Sequence, residues 1–142
     1  MRLALLSVLP FVLAAAPCSG QGIDTYLTAA SRHYVSGEYN ETNPGFLLVV
    51  GRGWQGVAGL YTNSYAVGSV VGGIGRTWRI GSWTRAVVAL GLATGYSGVG
   101  GEAPFGAVPT TVQIVAVGPP GVKVALYHVP GAIGLGMMIG DR

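Results

Sequence analysis

The sequence predicts an all-β chain: an eight-stranded antiparallel up-and-down transmembrane β-barrel with short periplasmic turns, behind a cleaved signal peptide. Three observations predict it. Charged residues make up only 9% of the 142-residue chain, against roughly 25% in an ordinary soluble domain. Apolar residues reach 50%, and 25 residues are Gly. These glycines follow no three-residue period, which excludes collagen, and the abundance of Leu, Ile and Val excludes disorder. Finally, short β-type runs of alternating polarity recur between turn signals along the chain.

The first element is a targeting segment. Arg2 precedes an apolar run from Leu3 to Ala16, and small residues Ser19 and Gly20 follow. A positive start, a short apolar stretch and a small-residue cleavage region define a secretory signal. The run falls short of the about 20 residues a transmembrane helix needs. Residues 1–20 are therefore expected to leave and residues 21–142 to form the barrel. Cys18, the single cysteine, would leave with the signal, so no disulfide and no Cys-based metal site is expected.

The strands are predicted in order as Thr25–Tyr34, Gly45–Trp54, Gly56–Tyr65, Ser69–Ile80, Trp83–Tyr96, Val108–Val117, Val122–Val129 and Ala132–Gly140. Most are near the roughly 9–11 residues of a tilted strand that crosses a bilayer. In the fifth, Ala86, Val88, Leu90 and Leu92 alternate with Arg85, Ala89, Gly91 and Ala93. In the last, Ile133, Leu135, Met137 and Ile139 alternate with Ala132, Gly134, Gly136 and Met138. One face suits hydrocarbon and the other a narrow interior. A sheet in lipid must close, because lipid offers no partner for edge N–H and C=O groups.

Tight turns are expected at Trp54-Gln55-Gly56, Ile80-Gly81-Ser82 and Gly118-Pro119-Pro120-Gly121, with longer loops at Val35–Pro44 and Ser97–Ala107. Short turns mark the periplasmic side of this class. Trp54, Trp78 and Trp83 would gather there with Arg52, Arg79 and Arg85 as a girdle contacting head groups.

Net charge is +3 and the basic residues are scattered, so no nucleic-acid tract is expected. Two distant histidines without ligand spacing predict no metal. Gly72-Gly73-Ile74-Gly75 lacks the strand-then-helix setting of a nucleotide loop, and no cofactor is expected.

Threading the strands up and down brings Ser31-Arg32-His33-Tyr34, Thr62-Asn63-Ser64-Tyr65 and Tyr127-His128-Val129-Pro130 to one rim. A Ser hydroxyl needs a base to become a nucleophile, and either His33 or His128 could accept its proton. Parity puts His128 with Val124 and Leu126, on the lipid side. It puts His33 with Leu27, Ala29 and Ser31, a direction that a bulge at the rim can reverse.

Several segments, in order, resemble the lipid A palmitoyltransferase (PagP) family. They are His33 followed by Tyr39-Asn40-Glu41; Gly59-Leu60-Tyr61 leading into Asn63-Ser64-Tyr65; Leu90-Gly91-Leu92-Ala93-Thr94-Gly95; Pro109; and Tyr127-His128-Val129-Pro130-Gly131. The resemblance implies a barrel in the outer membrane of a Gram-negative bacterium that moves a phospholipid acyl chain to lipid A. It implies His33 as base or electrostatic partner and Ser64 as nucleophile or hydroxyl donor. The family's Asp position is held by Asn63, expected to orient by hydrogen bonds without a charge. Pro109 and Pro130 would mark lateral lipid access between the sixth and seventh strands, since Pro lacks an N–H for pairing. Arg32, Tyr34, Tyr65, Tyr127 and His128 are expected around the head groups. The partners implied are outer-membrane phospholipid and lipid A, with the protein a monomer. The rival expectations are a non-catalytic lipid-binding or structural barrel, and a soluble secreted β-module.

Overall fold

The computed structural model describes residues 22–97 and 106–140. The expected signal peptide lies outside the described residues. Eight strands follow one another: β1 (Ile23–His33), β2 (Thr42–Val50), β3 (Trp54–Thr62), β4 (Gly68–Ile80), β5 (Thr84–Ala93), β6 (Val108–Val117), β7 (Gly121–Val129) and β8 (Ala132–Gly140). Each pairs antiparallel with its sequence neighbours, and β8 pairs with β1, so the barrel is closed. Closure leaves no strand without a partner on either side.

The bounds of β6 and β8, and the last residues of β4 (Ile80) and β7 (Val129), are those the alternation predicts, while the remaining strand ends shift. The expected turn at Trp54-Gln55-Gly56 lies earlier, at Gly51-Arg52-Gly53. Two glycines there reach the left-handed backbone region (φ 125° and 73°), so the chain reverses before Trp54, whose bulk then pairs opposite Arg76 in the ladder. The connections β2–β3, β4–β5 and β6–β7 lie at one end, here the turn end. The connections β1–β2, β3–β4, β5–β6 and β7–β8 lie at the other, the loop end.

The pleat sorts side chains as the alternation requires. Ile74, Leu90, Leu92, Val124, Leu126 and Leu135 stand outward and more than half exposed. Tyr26, Val49, Val87, Ala116 and Met138 point inward and are almost fully buried. Toward the turn end, Val49, Val87, Met138 and the stem of Lys123 fill the interior. The buried Lys123 ammonium donates to the carbonyls of Gly118 and Pro119, at 3.0 and 3.1 Å. Trp54, Trp78 and Trp83 are exposed at this end. Arg85 corrects the expected girdle: it is only 3% exposed. Its odd position in β5, in step with Val87 and Ala89, turns it into the barrel.

Two irregularities shape the loop end. In β1, Ala29 is an extra residue: Thr28 pairs with Gly136 and Ala30 with Leu135, leaving Ala29 unmatched. This bulge resets the alternation beyond it. Between β6 and β7, pairing runs only from Gln113↔His128 to Val117↔Val124. The upper part of β6, residues 108–112, therefore pairs with β5 alone.

Candidate active site

The inward face at the loop end is not filled. A cavity of about 400 Å³ opens there, within the roughly 300–1,000 Å³ range of small-molecule clefts. Phe46, Leu47, Val71, Val112, Ile114 and Ala125 form its apolar wall. His33, Ser64, Tyr39 and Tyr65 border it at the rim.

The bulge at Ala29 is what aims His33. Below it, Tyr26 and Thr28 face inward; above it, Ser31 and His33 take over that face, and all four line the cavity. An unbroken strand would have left Ser31 and His33 in step with Leu27, on the outside. The His33 side chain is only 6% exposed. Its Nε2 lies 2.7 Å from Ser64 Oγ, a hydrogen bond across 31 residues of sequence. Its ring stacks on Tyr39, centroids 4.3 Å apart.

Asparagines tie the two loops together. The Asn40 backbone N–H donates to the Ser64 carbonyl at 2.8 Å. Asn43 is buried, takes a hydrogen bond from the Ser31 hydroxyl, and donates to the Thr62 carbonyl at 3.1 Å. These bonds hold the end of β1, the β1–β2 loop and the end of β3 in one frame. Buried polar groups so satisfied cost little and fix position.

Asn63 occupies a different place from the expected one. It is fully buried and its amide N–H donates to the Gly95 carbonyl at 2.8 Å. Its side-chain oxygen accepts the backbone N–H groups of Tyr65 (2.9 Å) and Val67 (3.0 Å). Among the described residues, its side-chain hydrogen bonds thus all serve the β3–β4 turn and its neighbour loop. It shapes the turn that presents Ser64, and does not orient His33.

The carboxylate beside His33 is Glu41. Its Oε1 lies 3.8 Å from His33 Nδ1 and accepts the His33 backbone N–H at 3.2 Å. Its Oε2 pairs with Arg32 at 3.4 Å. The sequence holds a faint signal for this, the acidic residue eight positions after His33 in a loop that must fold back over the rim. Spacing alone does not say which way its carboxylate turns.

A second cluster sits on the outer side of the same rim. The Tyr34 hydroxyl bonds His128 Nε2 at 2.9 Å and accepts the Gly131 N–H at 3.0 Å. His128 and Ser64 are on different clusters, so the two histidines are not equivalent. Tyr127 turns inward from the adjacent position, and its hydroxyl donates to the Ala30 carbonyl at 3.1 Å. Arg32 is largely exposed. Tyr39, Tyr65 and Tyr96 make successive edge-on contacts near 6 Å. Tyr96 shares a hydrogen bond of 2.9 Å with Tyr61, and burial pushes the Tyr96 phenol above its ordinary value. Pro109 and Pro130 both border the cavity, on either side of the unpaired stretch between β6 and β7.

Among the described residues no group of His, Cys, Asp and Glu is arranged to hold a metal ion. The chemistry within reach is proton transfer between His33 and Ser64 at the mouth of an apolar cavity. Compared with protein-family models and with curated proteins, the chain matches none.

Proposed function

We propose that the protein is an outer-membrane acyltransferase, of the kind represented by the lipid A palmitoyltransferases, that moves a phospholipid acyl chain to lipid A. The observation that carries this reading is the 2.7 Å bond between His33 Nε2 and Ser64 Oγ at the mouth of the apolar cavity. A Ser–His pair is the minimal apparatus of acyl transfer, and an apolar cavity is what a hydrocarbon chain needs.

Three features support the setting. The outward residues form an apolar belt around a closed barrel, which in water would be an extended sticky surface and in a bilayer is the expected face. The unpaired stretch between β6 and β7, with Pro109 and Pro130 beside it, would serve as the way by which a chain passes from the bilayer into the cavity. The exposed tryptophans at the turn end fit a membrane interface. Residues 1–20 act as an export signal and the turn end faces the periplasm.

The chemistry balances in two steps. Ser64 Oγ attacks the ester carbonyl of the phospholipid while His33 takes its proton; the lysophospholipid leaves as the alcohol with that proton. A hydroxyl of lipid A then gives its proton to His33 and attacks the acyl-serine; His33 passes that proton to the departing Ser64 Oγ, which restores both residues. Arg32, Tyr34 and His128 on the outer side of the rim and Tyr65 at the mouth would meet polar head groups, while Tyr127, buried and bonded to the Ala30 carbonyl, would line the cavity beneath them.

The test is the mass of lipid A from a Gram-negative host expressing the protein. A gain of one acyl chain, absent with Ser64→Ala and His33→Ala, is expected. No gain from protein present in the outer membrane supports a non-catalytic lipid-binding barrel instead.

A further inference from the structure

We propose that Glu41 is the positioning residue of the site: its carboxylate holds His33 as the Nδ1–H tautomer, leaving Nε2 free to accept the Ser64 proton. The inference rests on the acyl-transfer reading for its role in catalysis, though not for the tautomer itself.

The Glu41 carboxylate is held from two sides before any substrate arrives. Oε1 accepts the backbone N–H of His33, and Oε2 pairs with Arg32. The same Oε1 that takes the backbone N–H faces Nδ1 of the ring, at 3.8 Å. Nδ1 is buried and has no hydrogen-bond partner among the described residues. A buried ring nitrogen beside a fixed carboxylate oxygen, just beyond bonding distance, gains a partner by a small ring movement. Catalytic hydrogen bonds of this kind are often long before substrate binds.

The other groups facing the ring leave this role to Glu41. Tyr39 covers its face, and Ser64 occupies Nε2. Asn63 is committed to the turn backbone. Arg32 is on the far side of the carboxylate, and it balances the Glu41 charge rather than reaching the ring. The tautomer matters because a neutral imidazole carries one N–H only. If that proton sits on Nε2, the ring can only donate to Ser64, and the serine has no base. A carboxylate at Nδ1 fixes the productive form and stabilises the imidazolium that follows, the logic of a Ser–His–acid triad.

The experiment is imidazole ¹⁵N NMR on the full mature chain folded in detergent micelles, with the His33 signals assigned by their loss in His33→Gln. The native protein is expected to show a protonated Nδ1 and an unprotonated Nε2. Glu41→Gln is expected to lose that preference, because an amide can donate to Nδ1. Glu41→Asp is expected to keep it. In parallel, acyl transfer should fall about 10²–10⁴-fold in kcat with Glu41→Gln, with KM little changed, and return in part with Glu41→Asp. Far-UV circular dichroism checks that each variant is folded. A native ring protonated on Nε2, or an Nδ1–H form that persists unchanged in Glu41→Gln, overturns the proposal. A protein that shows the expected tautomer and its loss, yet transfers no acyl chain, upholds the positioning by Glu41 and removes the acyltransferase reading.

Discussion

Asn63 makes three side-chain hydrogen bonds from a fully buried position, one to Gly95 and two from the turn backbone. An Ala there leaves the part-buried Gly95 carbonyl and two turn N–H groups without these partners, at about 1–3 kcal/mol for each that water does not reach. Asn63→Ala is therefore expected to lower stability by several times RT, read as a shift in the urea midpoint of the detergent-folded protein. Asn63→Asp keeps the acceptor but sets a carboxylate against the Gly95 carbonyl, so it is expected to destabilise and not to raise activity. This is the opposite of what the position suggests in the sequence, where Asn63 stands beside Ser64 at an acid's place. Gly134 gives a second residue-scale test. A Cβ there would overlap the Tyr127 ring and the Ala30 carbonyl that the Tyr127 hydroxyl bonds. Gly134→Ala is expected to cost about 1–3 kcal/mol by overpacking, measured in the same unfolding series, and to loosen the wall beside the cavity.

At the scale of the element, the site depends on one residue too many in β1. Deleting Ala29 restores strict alternation, which returns Ser31 and His33 to the side of Leu27. The deletion is expected to leave a folded barrel by circular dichroism while acyl transfer drops to the level of Ser64→Ala. Activity that survives the deletion would show that the bulge does not aim His33. The bulge also marks where the sequence stops being legible. Along β5, β7 and β8 the inward and outward sets follow directly from a period of two, because those strands run without interruption. The same parity read through Ala29 gives the wrong face for His33, since a bulge leaves no fixed residue signature. Strand ends are legible where a turn has one obvious place, as after Ile80 and Val117, while Gly51, Gly53 and Gly56 offer two, and the chain takes the earlier. That Glu41, and not Asn63, lies beside His33 escapes the sequence for a related reason. Both lie in loops, where contacts are set by how three loops meet and not by spacing along one strand.

The whole molecule is a closed ring with an apolar outside, a filled turn end and an open loop end. A low charge fraction, with Leu and Val recurring on one parity, made this architecture readable; what it encloses was not, because filling depends on which inward residues are large. Arg85 and Lys123 are inward and buried at the turn end, so the barrel is a cup rather than a pore. Val124, 64% exposed near the middle of β7, separates the membrane setting from a soluble one. Val124→Arg is expected to destabilise the protein by about 2–4 kcal/mol when unfolding is followed in lipid vesicles. A water-facing position would change stability by no more than about 0.5 kcal/mol.

On this reading His33 activates Ser64 at the mouth of an apolar cup. The most direct measurement is labelling of the detergent-folded protein by a long-chain fluorophosphonate, followed by peptide mass mapping. One adduct is expected, on Ser64, formed at least about a hundredfold faster than in His33→Ala, in keeping with the roughly 10²–10⁴-fold that a positioned base contributes. No adduct on Ser64, or equal labelling when His33 is replaced, would contradict it.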